Sequence, residues 1–483
     1  MHLQRIQVPD FRVLKDVDIT FEHDFNPRVF PLGSRNGGGK STLLQLIFIL
    51  LHCSSNPDRH FAIRNLLNSF TLREDQDKRV LAIIDVWDGE KIISLEFFVG
   101  GDAYLQKSLK IDKNIDSFPT TFFLLQRAAD TQQRISRFIR EEEELKNIIE
   151  QFGYRQSETS PSRKFPDDLK KRLVDLGIDF DSMEIEFSDP DSLNKIDRQS
   201  KTRLINRQKR LQEESKNLSD KISKIIESLK LDNTLYINHY LYNKASNELE
   251  IEALLCRISN LEVEKGQDFL SHLSNKIFLA APSTQIFLFL SKGERNSLFT
   301  DKNAYQAGLI RANSFLSGLF TYDFLATDIL IKAFKKARDE DFKEALKTGE
   351  YGKSYKNLVK DLDFLLHDKQ VNLMDDFSGL TFKLDRFKDS VELYPEDLSH
   401  GELKRLSIYI WLKYNNIEDA IVLMDEVDLA LHPDWQYQIV SDLLDWSSNN
   451  QYVLATHSYE LCNALTPSHV KVLEPKLTDR LSK

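Results

Sequence analysis

The chain has 483 residues, of which 41% are hydrophobic and 29% are charged, and its formal net charge is −10 at pH 7. This composition is typical of a globular protein, and the length allows at least one large core with two or three subdomains. The acidic balance argues against strong non-specific DNA binding by the whole surface, while a local basic face stays open.

The cysteines and the N-terminus indicate where the protein resides. Cys53, Cys256 and Cys462 are widely separated and form no CxxC pair, which is typical of small buried residues in a reducing compartment. Residues 1–7 contain no signal-peptide core, and the most apolar run, residues 43–51, is too short to span a bilayer. We therefore expect a cytoplasmic protein without a membrane partner.

Three strands, predicted at residues 2–8, 17–21 and 28–32, lead into a glycine-rich loop, GSRNGGGKST, at residues 33–42. The loop fits the phosphate-loop template G-x-x-x-x-G-K-[ST], except that Ser34 replaces the first glycine and Gly33 lies one position earlier. The predicted nucleotide-binding residues of this loop are Asn36, Gly37, Gly38, Gly39, Lys40, Ser41 and Thr42.

Each residue type in this loop has a chemical reason. Glycines allow backbone N–H groups to turn inward around phosphates. The Lys40 ammonium reaches the β- and γ-phosphates, the Ser41 hydroxyl ligates Mg²⁺, and the following helix points its positive end at the anion. The alternative is a structural turn, which the placement between a strand and an apolar helix disfavours.

A β-hairpin is predicted next, with strands at residues 79–87 and 91–99 joined at Asp88–Gly89. A further strand-like stretch, residues 120–125, ends at Gln126. This glutamine is a candidate ligand for Mg²⁺ and sensor of the γ-phosphate, and the alternative is an ordinary surface glutamine.

The middle of the chain is helical and highly charged in its pattern. Leucine and isoleucine recur at heptad spacing over residues 204–229, and Ile251, Leu254, Ile258 and Leu261 repeat at 4–3 spacing, which together predict an antiparallel coiled-coil hairpin. A basic run over residues 201–210 is either a nucleic-acid or partner contact or a solvated flank of the first arm. Residues 285–290 predict a strand that returns the chain to the sheet.

Ser399 opens a helix with Glu402 three positions later. This spacing fits a plain capping box, and it also fits a signature motif in which the Ser399 hydroxyl and the Gly401 N–H face a γ-phosphate. The stretch IVLMDEVD at residues 421–428 supports the second interpretation. It predicts a strand buried on both faces, with Asp425 and Glu426 at its carboxyl end, where α/β sheets bind ligands.

A last short strand ends in ATHS, with His457 placed to contact a γ-phosphate or, alternatively, as an ordinary polar residue at a strand end. The ordered set NGGGKST, LSHGE, IVLMDE, ALHP and ATHS, with FRVLKDVDITF at the front, resembles the ATP-binding-cassette (ABC) ATPases of the SMC, RecF and OLD-like kind. The opening PLGSRNGGGKSTLLQ resembles, more narrowly, the Septu-type defence ATPases of the PtuA kind, including the form encoded with retrons.

The resemblance implies an α/β fold, with an ABC-type ATPase head of mixed sheet and flanking helices and an inserted α-helical, short coiled-coil domain. We expect the first half of the head at residues 1–130, the insertion at 131–280, a return strand and helical subdomain at 281–375, and the second half of the head at 376–483.

By the same resemblance, two subunits sandwich two ATP molecules with Mg²⁺. Each site takes Lys40, Ser41, Thr42 and Asp425 from one chain and Ser399, Gly401 and Glu402 from the other. Glu426 orients or deprotonates the attacking water, and His457 holds the γ-phosphate. The implied partners are a second copy of the chain, an HNH nuclease, a reverse transcriptase and its multicopy single-stranded DNA, with other nucleic acid as a further candidate.

Three rival functions remain for comparison. A DNA-repair or chromosome-structure ATPase would act on DNA without a nuclease partner; the short predicted arms, the missing CxxC hook and the acidic balance weigh against it. A self-contained OLD-type nuclease needs a Toprim domain, and we expect none after His457. A transporter ATPase subunit has no place for the large helical insertion.

Overall fold

The computed structural model describes residues 1–101, 233–285 and 314–473, with gaps at 36, 68–69, 74–75, 244–248, 323–325, 367–368, 375, 378 and 385–390, and the single residues 104, 209, 213 and 216. The predicted residues outside these ranges are Asn36, the strand-like stretch 120–125 with Gln126, the basic run of residues 201–210 apart from Lys209, the heptad positions between residues 204 and 229, and residues 286–290 of the return strand.

A first six-stranded sheet has the order β2-β1-β4-β5-β7-β6, and its neighbouring strands from β2 to β7 run antiparallel. The strands are β1 (His2–Phe11), β2 (Leu14–Thr20), β4 (Lys78–Trp87), β5 (Ile92–Gly100), β6 (Thr234–Asn243) and β7 (Leu249–Ser259). The predicted hairpin at Asp88–Gly89 is confirmed, because Trp87 pairs with Ile92 and Gly89 has a φ of +116°.

The prediction that residues 251–261 form the second arm of a coiled coil is wrong. Leu254 and Ile258 lie in β7, where they pair with Val99 and Leu95 of β5. A 4–3 repeat of apolar residues also fits a strand when the residues between them are apolar, and here Leu255 and Cys256 are buried as well. Pairing with β5 provides hydrogen-bond partners for the backbone of β7, so this segment forms a strand of the sheet and not a helix. Residues 234–280, which were assigned to the insertion, therefore supply strands to the two six-stranded sheets.

A second six-stranded sheet is parallel throughout and has the order β15-β3-β14-β13-β8-β9. Its strands are β3 (Val29–Gly33), β8 (Ile277–Ala281), β9 (Leu319–Thr321), β13 (Ile421–Asp425), β14 (Gln451–Ala455) and β15 (Lys471–Val472). All five residues of β13 are buried, as predicted from its unbroken apolar run. The strand beside β13 is β8, whereas the predicted return strand starts at Gln285, which lies in a short helical turn, and residues 286–290 are outside the described ranges.

The helices of the described residues are α1 (Lys40–Cys53), α2 (His60–Leu67), α3 (Val263–Ser274), α4 (Ala326–Thr348), α5 (Ser354–Leu366), α6 (His400–Tyr414), α7 (Pro433–Trp446) and α8 (Tyr459–Asn463). A small antiparallel sheet of β10 (Lys369–Leu373), β11 (Leu380–Leu384) and β12 (Val391–Leu393) precedes α6. In the part of the chain that is described, no helix combines the length and the apolar character needed to cross a membrane.

The parallel sheet separates two hydrophobic cores. Leu423 and Val453 point into the core shared by α1 and the antiparallel sheet, while Val422 and Leu454 point into the core formed with α4, α6 and α7. This alternation follows from the two-residue period of a strand. Because α1 is buried along almost its whole length, its apolar run is explained as a central core helix. The sheet is thereby fixed on both faces, and its carboxyl edge carries the site.

Candidate nucleotide site

The loop between β3 and α1 needs its glycines. Gly37 and Gly39 have φ values of +78° and +90°, in the left-handed region that favours glycine. A Cβ on Gly38 would lie 2.4 Å from Ser34 Oγ, so the serine that replaces the template's first glycine packs directly on the loop. No side chain caps the N-terminus of α1 at Gly39, which leaves its first N–H groups for an anion.

Lys40 folds over this loop and is only 7% exposed. Its Nζ lies 3.2 Å from Ser34 Oγ and 3.0 Å from Nε2 of His457. Burial lowers the pKa of Lys40, although the charges of Asp425, Asp428 and Glu426 act in the opposite direction. The ammonium is thus held at the edge of β3 and β14 in a cluster of carboxylates.

Asp425, the last residue of β13, is 1% exposed. Burial raises the pKa of its carboxyl group, while hydrogen bonds with Ser41 and Gln285 work against that rise. Oδ1 of Asp425 and Oδ1 of Asp428 are both buried, and neither has a hydrogen-bond partner among the described residues. Unpaired buried carboxylate oxygens beside a serine hydroxyl are the donor set that a hard divalent cation completes.

The Mg²⁺ ion implied by the phosphate loop fits these residues. Within the described ranges, no group of three or more His, Cys, Asp or Glu side chains could hold a metal by itself. Mg²⁺ in nucleotide sites is typically held by one or two protein ligands, substrate phosphates and water. Ser41 and Asp425 are the residues predicted to supply those ligands, and their hydrogen bond places them side by side.

A glutamine that sequence reasoning missed contacts Asp425. Gln285 donates a hydrogen bond from Nε2 to Oδ2 of Asp425, and its Oε1 accepts one from Gln45 of α1 at 2.6 Å. Gln126, which was predicted for this position, lies outside the described residues. The available signal was a glutamine shortly after an apolar strand, but residues 285–290 were interpreted as the strand itself.

Glu426 follows directly on β13, and His457 lies two residues after the end of β14. Glu426 is half-buried, has a φ of +50°, and donates its N–H to Ala455 O at 3.0 Å. His457 is exposed, and its N–H donates to Oδ2 of Asp428 at 3.3 Å. Since β13 and β14 are neighbours, both side chains lie at the same edge as Lys40.

The capping box, which was the alternative to a signature motif at Ser399, is present. The Ser399 hydroxyl donates to Oε2 of Glu402 at 2.9 Å and accepts from the Glu402 N–H at 3.3 Å. Burial of Glu402 acts to raise its pKa, but hydrogen bonds from Lys369 and Ser399 outweigh it and lower the pKa. A Cβ on Gly401 would lie 2.9 Å from Ala430 O, so the start of α6 packs on the turn after β13. The signature role of these residues stays a prediction.

The model of one protein family, the AAA ATPase domain, matches residues 1–462. The chain belongs to the AAA ATPase domain family. This membership agrees with the ABC-type head expected from the motifs, and the predicted α/β class and the ATPase class of enzyme are confirmed at the level of the family.

Two curated relatives of this AAA ATPase domain protein match over short segments. The retron Ec83 probable ATPase of Escherichia coli is 29% identical over 152 residues, which are 28% of this chain and 28% of that protein. The retron Vc95 probable ATPase of Vibrio cholerae serotype O1 biovar El Tor is 43% identical over 54 residues, 11% of this chain and 10% of that protein. The matched region thus spans less than a third of each relative.

Two solved structures that match over most of their length are Smc head domains. The head from Pyrococcus furiosus, bound to the C-terminal domain of ScpA, is 12% identical with a TM-score of 0.31 and covers 96% of this chain and 91% of that chain. The head from Pyrococcus yayanosii is 11% identical with a TM-score of 0.30 and covers 96% and 93%. At these TM-scores the fold assignment depends on the sheet topology described above.

Proposed function

We propose that this chain binds ATP with Mg²⁺ at the edge of the parallel sheet and hydrolyses it. The observation that carries the proposal is the convergence of Lys40, Ser41 and Asp425, with two unpaired buried carboxylate oxygens beside them. A glycine loop alone fits many anions, but a loop that faces buried acids fits an anion that brings a divalent cation with it.

The residues of one chain divide the chemistry among them. The loop N–H groups and Lys40 bind the phosphates, and His457, 3.0 Å from Lys40, contacts the γ-phosphate. Glu426 accepts the proton of the attacking water or orients that water for in-line attack. Ser41 and Asp425 would hold Mg²⁺, which would supply positive charge to the phosphates.

A second copy of the chain completes each site in this proposal. Ser399 and Gly401 lie at the N-terminus of α6, where their hydroxyl and N–H groups can be offered to a γ-phosphate held by the partner. Exposed apolar side chains lie on the elements that surround the site; they are Leu429, Tyr437 and Tyr459. Burial of these side chains against a second copy would favour the ATP-bound dimer.

We further propose that ATP state gates an effector nuclease in a retron-type, Septu-like defence system. The support is the similarity to two retron probable ATPases over parts of the chain. The partners would be an HNH nuclease and a reverse transcriptase with its multicopy single-stranded DNA.

Two experiments test these proposals separately. Glu426→Gln keeps the shape of the side chain but removes the base, so the variant should bind Mg²⁺–ATP and turn it over at least about tenfold more slowly. Unchanged hydrolysis would falsify the role of Glu426. Purification with the genomic neighbours tests the partners: recovery of an HNH protein supports defence, and recovery of DNA alone supports a repair or chromosome-structure ATPase.

A further inference from the structure

The turn after β13 holds the proposed base on strained backbone. Glu426 and Ala430 have φ values of +50° and +67°, in a region of backbone conformation that residues other than glycine rarely adopt. The Glu426 N–H donates to Ala455 O at 3.0 Å, and the Leu429 N–H donates to Glu426 O at 3.1 Å. A short segment with two such residues keeps its shape only when neighbouring groups hold it.

The buried side chain of Lys404, in α6, donates hydrogen bonds to two backbone carbonyls of this turn. It is 6% exposed, and its Nζ donates to Glu426 O at 2.6 Å and to Leu429 O at 3.0 Å. The ammonium also lies 4.2 Å from the centre of the buried Tyr322 ring. A lysine suits this place because its apolar stem crosses the core while its head donates several hydrogen bonds.

These contacts join two parts of the nucleotide site. The same helix that carries Ser399 at its N-terminus reaches, through Lys404, the carbonyl of Glu426. We propose that Lys404 is a positioning residue for hydrolysis: it fixes the backbone of Glu426 so that the carboxylate faces the attacking water. This role rests on the proposed hydrolysis of ATP and adds a residue that the motifs do not contain.

A merely structural role would have different consequences. Loss of a buried hydrogen-bonded lysine that only stabilises the core lowers stability and leaves kcat of the folded protein unchanged. Loss of a residue that positions Glu426 lowers kcat while ATP affinity stays the same, because Lys40 and the loop that bind the phosphates are untouched.

The test compares Lys404→Met with Lys413→Met, a matched change at an exposed position of the same helix. We expect Lys404→Met to bind Mg²⁺–ATP within about threefold of wild type and to lower kcat at least about tenfold. Lys404→Arg, which keeps the charge and the donors, should recover part of kcat. A folded Lys404→Met protein that turns over like Lys413→Met overturns the proposal.

If Lys404→Met folds poorly, Lys404→Gln can be used in its place, because the glutamine amide still donates hydrogen bonds. A double-mutant cycle with Glu426→Gln then tests the proposal with either variant. Either change should lower single-turnover hydrolysis much less in the Glu426→Gln background than in wild type, because Lys404 acts through Glu426. Equal fold-losses in both backgrounds would contradict the positioning role. Failure of the proposed function is distinct from these outcomes, since wild type itself would then neither bind nor hydrolyse ATP.

Discussion

Nζ of Lys40 lies 3.0 Å from Nε2 of His457, although 417 residues of chain separate the two. The contact exists because β3 and β14 are hydrogen-bonded neighbours, and the loop from β3 to Lys40 and the turn from β14 to His457 leave the same edge of the sheet. Two segments that are distant in sequence thereby form one candidate site, and substitution of single residues tests the contribution of each.

Asp425→Asn should separate stability from function. Burial raises the pKa of Asp425, so the charged carboxylate destabilises the nucleotide-free protein above its folded-state pKa. We expect the asparagine variant to melt at a higher temperature than wild type near neutral pH and to lose Mg²⁺-dependent ATP hydrolysis. The difference in melting temperature should shrink as pH falls through the folded-state pKa and be smallest near about pH 3, where the carboxyl group is protonated in both states. An asparagine variant that hydrolyses ATP normally would contradict the assigned role.

His52 should make the fold sensitive to acid. Its Nδ1 lies 2.7 Å from Ser274 O and its Nε2 accepts from the Gly318 N–H, so the neutral ring is fully bonded, and burial lowers its pKa from 6.5 to about 4. A lowered histidine pKa contributes stability above about pH 6.5, and this contribution is lost as pH falls towards 4. The loss should reach about 3 kcal/mol of unfolding free energy.

Urea unfolding at pH 7 and pH 5 measures this loss. His52→Gln keeps a donor for Ser274 O but does not titrate, so its unfolding free energy should fall less between the two pH values than that of wild type. His272→Gln, at an exposed position of α3, is the matched control and should behave like wild type. Equal pH dependence in all three proteins would show that His52 does not resist protonation.

Gly401→Ala tests the packing of α6 on the turn after β13. The added Cβ would lie 2.9 Å from Ala430 O and 3.0 Å from the Trp435 ring, and a backbone oxygen cannot move away without shifting the turn. We expect a loss of about 1–3 kcal/mol in stability and a lower kcat. His400→Ala, at the exposed neighbouring position, should change the melting temperature little. A fully stable and active Gly401→Ala protein would show that α6 and the turn are not tightly coupled.

Substitution of Gln285 and of Gln126 tests which of the two glutamines supports Mg²⁺-dependent turnover. Gln285→Ala removes the hydrogen bond to Asp425, and we expect a loss of at least about tenfold in Mg²⁺-dependent turnover. Gln126→Ala should leave turnover unchanged. The reverse result would return the metal-sensing role to Gln126.

The phosphate loop, β13 and the position of His457 could be predicted because their signals are local. A glycine run before Lys-Ser, an unbroken apolar strand and a following acid pair each specify their own structure. The strand that contains Leu254 and Ile258 could not be predicted, because its apolar spacing fits a helix and a strand equally. Only the pairing with β5 decides between the two. Gln285 was missed for a related reason: its contact with Asp425 depends on which strand lies beside β13.

The most direct measurement is the equilibrium affinity of the purified protein for ATP in the presence of Mg²⁺, for wild type, Glu426→Gln and Lys40→Ala. We expect wild type and Glu426→Gln to bind, and Lys40→Ala to bind at least about tenfold more weakly, because this change removes the ammonium that is proposed to bind the phosphates. If wild type shows no affinity, or if Lys40→Ala binds as tightly as wild type, the edge of the parallel sheet is not the nucleotide site.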